Sequence, residues 1–567
     1  MRGGEMSSTD RGRKRSLEVT GGPAQAAARS MLRAMGWTTD DLMLPQAGVA
    51  ASWNAVTPCN MHLDALAVAA GDELKSLRVL PLLFHTISVS DGIAMGTEGM
   101  RASLPSRDWI ADSVELVVLA ERMDGLLTIA GCDKTLPAMM MAMIRLDLPS
   151  VFAYGGSIRP GCFRGKDVSI QDVYEGIGAH ATGKMSLADL TELECVALPG
   201  QGSCAGMYTA NTMASVSEAL GLTVPGMAAP AAADPGREQI VRRAAATLVD
   251  ALENDRRPSA ILTKTSFENA IAVAAALGGS TNACLHLPAL AGEAGIDFGL
   301  VDIDRISRRT PQIAEMRPAG RFMMQDLHVE GGVPVVMREL LDAGLLDGDA
   351  MTVTGRTIGE ELAEVTRSLE PRTPVLHTVA DPVKATGGYA VLWGNLAPDG
   401  AVIKVANQAA NRHRGPAKVF DGEQDAFRAV ADGRIQPGDV VVLRYEGPKG
   451  GPGMPEMTHL TSAIVGAGLV EEIALLTDGR FGGGTQGISV GHVSPEAAVG
   501  GPIAILRDGD VVEIDAESNR LHVELPDAEI AARLAAVEHP PPRYPTGVLA
   551  KYARLVGSAA TGARVGA

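Results

Sequence analysis

"GLLTIAGCDKTLPAMMMAMIRL", residues 125 to 146, changes its period half-way. Residues 125–130 form a continuous apolar run of strand length, and residues 135–146 carry apolar side chains at helical spacing. Between them Gly131, Cys132, Asp133 and Lys134 make a turn rich in reactive groups. A strand that ends in such residues and turns into a helix is the unit of an α/β domain, whose open sheet holds its site at the strand ends. The methionines from Met139 to Met143 read as core filling, since Met packs irregular gaps.

The same alternation extends from about residue 24 to residue 370. "AQAAARSMLRAMG" (24–36) and "RDWIADSVELVVLAERM" (107–123) read as helices, and "LRVLPLLFHTISVSDG" (77–92) as a strand leaving into a loop. Past about residue 375 the texture becomes short β-rich segments joined by Gly, Pro and Asp, such as "GDVVVLRYEG" (438–447) and "PIAILRDGDVVEIDAE" (502–517). The chain thus divides into a flexible tail (1–23), an α/β domain (24–375) and a smaller, barrel-like β domain (376–567). A length of 567 residues agrees with more than one core, and no fixed-period repeat is present.

A net charge of −17 argues against a nucleic-acid partner, because only "RGRKR" (11–15) is basic. No apolar run is long enough to span a membrane, and the first residues lack the apolar core of a signal peptide. The expectation is a cytoplasmic enzyme whose six cysteines are thiols, metal ligands or catalytic groups.

Those cysteines sort by neighbourhood. Cys195 in "LTELECVALPG" and Cys284 in "STNACLHLPAL" sit in apolar-periodic segments and read as small buried hydrophobes. Cys162 in "IRPGCFRGK" lies in a basic loop with no assigned task. Cys59 ("VTPCNMH"), Cys132 ("IAGCDKT") and Cys204 ("GSCAGMY") share a setting of tight turns and small polar neighbours. They lie about 70 residues apart, which excludes zinc-ribbon and ferredoxin spacings. Converging, they would hold an iron–sulfur cluster one ligand short, its open iron a Lewis acid; spacing alone fits three unrelated thiols equally well. Asp91, Asp133 and Glu456 sit in Gly-rich loops and suit Mg²⁺, although Asp-Gly is also an ordinary turn. Lys134 beside them would repel a cation unless its charge were removed.

In "TDGRFGGGTQGISVGH" (477–492), Gly482, Gly484 and Gly487 satisfy the dinucleotide fingerprint G-x-G-x-x-G. The helix that fingerprint requires is missing: "ISVGHVSPE" reads as strand and loop. A structural turn is the better reading.

Taken in order, "TPCN", "SVSDGIAMGTEGMR", "GCDKTLPAMMMA", "GSCAGMYTANTMA", "GGSTNACLHL", "GGVPVV", "RYEGPKGGPGMPEM", "LLTDGRF" and "VGHVSPEA" resemble the dihydroxy-acid dehydratase and phosphogluconate dehydratase family, over about residues 30 to 560. The match is closer to the dihydroxy-acid dehydratase branch. The resemblance implies a homodimer with the active site between the domains and a 2,3-dihydroxy acid as substrate. It implies a [2Fe–2S] cluster, with [4Fe–4S] as the alternative, on Cys59, Cys132 and Cys204. It also implies Mg²⁺ on Asp91, Asp133 and Glu456, with Lys134 as a carbamate.

The family's base is a serine that follows Asp-Gly-Arg-Phe, and here that position is Gly482. Thr485, Ser489, His492 and a metal-bound hydroxide are the candidates to replace it. Three readings follow: a paralogue with a different base, an impaired or engineered dehydratase, and a non-catalytic metal-binding regulator. The substrates implied are the branched-chain intermediates (2,3-dihydroxy-isovalerate and its ethyl homologue), with sugar acids second.

Overall fold

The computed structural model describes residues 14–367, 374–406, 411–482, 485 and 487–566. Residues 1–13 of the expected tail and Gly484 of the glycine run lie outside them. Further along that tail, Lys14, Arg15 and Ser16 donate their backbone N–H groups to Asp124 Oδ1, and Leu17–Thr20 forms a helical turn.

The first domain is built on four parallel strands, β1 (Gln46–Ala51), β2 (Leu80–His85), β3 (Gly125–Ala130) and β4 (Ser150–Tyr154), in the order β2-β1-β3-β4. All residues of β1, β3 and β4 are buried, which is why those strands are apolar or small on both faces. Helices α1 (Leu63–Ser76), α2 (Ser103–Ala120) and α3 (Thr135–Leu146) return the chain between strands. Met139, Met140, Met141 and Met143 of α3 are fully buried in the core that covers this sheet. Strand order reverses between β1 and β3, so the loops leaving these neighbours diverge and open a crevice at their carboxyl ends. Cys59 lies on the first of those loops and Cys132 on the second.

Helices α4 (Ile170–Ala181), α5 (Thr209–Ala219) and α6 (Ala283–Glu293) complete the parts of this domain that bear on the crevice. The second domain is a closed barrel of eight strands: β5 (Tyr389–Gly394), β6 (Ala397–Lys404), β7 (Arg412–Phe420), β8 (Val440–Leu443), β9 (Ala474–Thr477), β10 (Ile488–Ser494), β11 (Val511–Asp515) and β12 (Arg520–Val523). Around the barrel the order is β8-β9-β10-β6-β5-β12-β11-β7, and β7 closes on β8. Its interior is a core separate from that of the first domain. Residues 488–494 are a strand, as the sequence indicated, and no helix follows the glycine turn there.

Strands β8 and β9 are parallel neighbours, so their outgoing loops leave from one end of the barrel. The loop after β8 carries Glu456 into helix α7 (Thr458–Ala467), and the loop after β9 carries Arg480 and Gly482. The two loops pair: Met457 N–H donates to the Arg480 carbonyl at 3.1 Å. Buried Asp478 pins this end by accepting the N–H groups of Tyr445, Glu446 and Ala497.

Candidate metal centre and active site

Gly131 brings two of the cysteine loops together. A Cβ at that position would lie 2.1 Å from the Cys59 carbonyl oxygen, so only glycine permits the approach. The third loop joins through Gly202, whose N–H donates to the Pro58 carbonyl at 2.9 Å. It also joins through Ser203, which forms an isolated parallel bridge with Ser157, three residues past the end of β4. Asn211 of α5 holds this loop by donating to the carbonyls of Cys204 and Gly206. Cys59, Cys132 and Cys204 therefore meet on the wall of one cavity of 210 Å³. Contact with the Cys132 thiol, and then burial, pushes the Cys59 thiol well above the usual range, and burial followed by Asp133 does the same to Cys204. A bound cation reverses that preference, because it stabilises thiolate directly.

The carboxylates line the same cavity. One oxygen from each of Asp91, Asp133 and Glu456 lies within 4.8 Å of the others. Asp91 starts a short helix after β2 and accepts a hydrogen bond from Ser103 Oγ at 2.7 Å. Lys134 Nζ stands among the three: it pairs with Asp91 Oδ2, lies 3.0 Å from Glu456 Oε1 and 4.0 Å from Asp133 Oδ2. Burial opposes charge on Glu456, but Lys134 and Arg480 outweigh it and hold the carboxyl down to about 2. Burial, and then the Asp91 carboxylate, pushes Asp133 up to about 7. Burial also works against the Lys134 ammonium; Asp91 and Glu456 overcome it and raise its affinity for the proton. Three hard oxygens this close need a cation, and in this arrangement Lys134 is that cation.

Two sequence models of known families match, the dihydroxy-acid/6-phosphogluconate dehydratase N-terminal domain over residues 44–361 and its C-terminal domain over residues 374–563. The chain belongs to the dihydroxy-acid/6-phosphogluconate dehydratase family. Among its relatives, the dihydroxy-acid dehydratase of Natronomonas pharaonis is 55% identical over 97% of this chain and 94% of its own length. That of Haloarcula marismortui is 54% identical over 97% of this chain and 96% of its own length. That of Mycobacterium tuberculosis is 53% identical over 97% of each chain. The chain is accordingly a dehydratase of this family, a hydro-lyase.

Gly482 lines the cavity beside Glu456; its backbone conformation admits an L-residue, but an added Cβ would lie 2.7 Å from Thr458 Oγ1, which would have to move, and 3.7 Å from Glu456 Oε2. The other residues considered for the base stand differently. Thr485 reaches the cavity wall, but its hydroxyl donates to the Gly482 carbonyl at 2.8 Å and closes the turn. His492 and Ser489 face a second, smaller cavity of 20 Å³ behind Gly482. Burial, and then Arg480, holds the His492 imidazole down to about 3, so it is neutral there.

Several site residues were not singled out by the sequence reading. Arg480 donates to Glu456 Oε1 at 3.0 Å and to Asn282 Oδ1 at 2.8 Å, and Asn282 Nδ2 donates to Glu456 Oε1 at 2.9 Å. Both lie inside family motifs, "LLTDGRF" and "GGSTNACLHL", which was the available signal. Thr458 and Tyr174, also on the cavity wall, had none. Cys284 is buried as expected, whereas Cys195, expected to be buried, is exposed on its helix; Cys162 is exposed too, in a short strand (Gly161–Phe163) paired with Lys166–Val168 where a loop was expected. The apolar neighbours of Cys195 in sequence fall on other faces of that helix, and among its residues only Leu193 is fully buried.

Proposed function

We propose that this chain converts a 2,3-dihydroxy carboxylic acid to the 2-oxo acid and water. In this reading Cys59, Cys132 and Cys204 hold an iron–sulfur cluster of the [2Fe–2S] type, and Asp91, Asp133 and Glu456 hold Mg²⁺, with Lys134 as a carbamate. The observation that carries the reading is the convergence of three thiols and three carboxylates on one cavity wall. A non-catalytic regulator has no use for so complete a donor set. When bound, the two metal groups supply Lewis acidity, each at one substrate oxygen.

The protein supplies the remainder. Asn282 and Arg480 fix Glu456 at one oxygen, and Ser103 fixes Asp91, so the carboxylates keep their orientation. Ile93, Met95, Ile158, Leu198 and Val465 give the cavity an apolar wall that excludes water and suits an aliphatic tail. That wall supports 2,3-dihydroxy-isovalerate and its ethyl homologue as substrates, and so a place in branched-chain amino-acid biosynthesis; a cytoplasmic homodimer belongs to the same reading through the family resemblance alone. One observation favours a hydroxylated tail, as in a sugar acid: the Tyr174 hydroxyl is buried with no partner among the described residues, and Tyr174 is on the cavity wall.

The test is an anaerobic assay of cluster-loaded, Mg²⁺-loaded protein against both sets of acids, read as 2-oxo acid formation. Turnover of the branched acids supports the first reading, and turnover of sugar acids alone the second. Turnover of neither sinks both.

A further inference from the structure

A Cβ at residue 482 would lie 2.7 Å from Thr458 Oγ1, too close for a carbon, so the Thr458 hydroxyl takes up the space where a side chain there would begin. Glu456 Oε2 lies 3.7 Å from the same point. Thr458 opens α7 on the cavity wall, two residues after Glu456, and its hydroxyl has a single described partner, the Met95 thioether at 3.0 Å. A thioether is a weak acceptor, so the oxygen keeps both lone pairs for a ligand and its proton is cheaply redirected. Three other hydroxyls on that wall are committed elsewhere, while the Tyr174 phenol has no partner among the described residues. Thr485 closes the glycine turn, Thr461 donates to the Thr458 carbonyl, and Tyr208 donates to Gln171.

We propose that Thr458 supplies the hydroxyl that handles the C2 proton, and that residue 482 is glycine to leave that hydroxyl room. The inference rests on the dehydratase reading above. In the step, the C2–H bond breaks and its proton passes to Thr458 Oγ1, while the Thr458 hydroxyl proton passes to the hydroxyl leaving C3. The C2–H electron pair becomes the C2=C3 bond, the C3–O bond breaks with its pair, and water departs. The enol then takes a proton at C3 and gives up the proton of its C2 hydroxyl, which leaves the 2-oxo acid. Threonine ends as it began, so atoms and charge balance. Because an alcohol both donates and accepts, one hydroxyl serves both transfers.

The experiment uses the loaded holoenzyme and four variants: Thr458→Val, Thr458→Ser, Thr458→Ala and the double variant Thr458→Ala with Gly482→Ser. Valine keeps the shape and removes the hydroxyl, so kcat should fall by about 10²-fold or more while KM stays within roughly threefold. Serine should keep kcat within about tenfold of the parent. The double variant, with its hydroxyl moved across the gap, should recover at least about tenfold over Thr458→Ala. Two readouts do not depend on turnover: the melting temperature of metal-free protein, and the affinity of the 2-oxo acid product for the Mg²⁺-loaded, cluster-free protein. Both should be unchanged in Thr458→Val. An active parent with full kcat in Thr458→Val overturns the proposal and leaves the dehydratase reading standing. Equal loss in Thr458→Val and Thr458→Ser, with a lowered melting temperature or weakened product binding, overturns it in favour of packing. An inactive parent fails the dehydratase reading and the proposal with it.

Discussion

Lys134→Met removes the cation that neutralises the carboxylate cluster and keeps most of its volume. The Lys134 ammonium lies 3.0 Å from Glu456 and 4.0 Å from Asp133, besides its pair with Asp91, and is 1% exposed. At an effective dielectric near 20, contacts of 3–4 Å are worth about 4–6 kcal/mol each before desolvation is subtracted. Removing one partner of such a buried set costs about 3–5 kcal/mol net, because the remaining charges stay uncompensated. For a domain of this size that is a fall in melting temperature of roughly 5–10 °C. The assay is thermal unfolding in chelator, followed by circular dichroism, for the parent and the variant. Adding Mg²⁺ with bicarbonate should raise the parent's melting temperature, since carbamylation turns the repelling ammonium into an oxygen ligand. Bicarbonate should add nothing to the variant. Equal melting temperatures in chelator would refute the electrostatic reasoning, and a bicarbonate response in Lys134→Met would refute the carbamate.

Cys204→Ala should abolish the visible colour and the iron content of anaerobically reconstituted protein, measured by absorbance and metal analysis. Cys284→Ser places a hydroxyl in a fully buried site and should cost about 1–3 kcal/mol in denaturant unfolding, whereas Cys195→Ser, exposed, should stay within about 0.5 kcal/mol. The proton affinity of His492 is depressed in the fold, to about 3, so between that pH and about 6.5 the unfolded chain binds a proton that the native one excludes. Its stabilising contribution is present above about pH 6.5 and is lost as pH falls through that window. His492→Asn, chosen because φ there is +57° and Asn tolerates it, should flatten the acid limb of stability against pH by up to about 1.4 kcal/mol per pH unit. Parallel acid limbs in the two proteins would count against it.

What could be read along the chain was what is local. Residues 125–146 announced strand, turn and helix because the period of burial changes within one short segment. The barrel was legible from alternation and turn residues, but its closure was not, since β7 meets β8 only through long-range pairing. Cys132, Asp133 and Lys134 stood out together because one turn holds them. Glu456 arrives at Lys134 from the other domain, and only the motif around it marked it. Thr458 and Gly482 meet across a gap that depends on the pairing of two loops, and no spacing in the sequence encodes that approach. Cys195 misled because apolar neighbours in sequence do not share its face of the helix.

Glu456 grows from a barrel with its own core, while the groups it meets, Lys134 and Asn282, stand on the other. Arg101 and Glu446 repeat the crossing with a two-pronged ion pair at 2.8 and 3.1 Å. A cation that takes oxygens from both sides binds only while both are folded, so its affinity is added to the free energy of separating them. Cooperativity then becomes a property of cargo as well as of packing. Empty, the two halves are tied only by the chain's own links, such as Arg101 with Glu446 and Lys134 with Glu456; filled, neither would loosen without releasing the ion, and the chain would unfold as one.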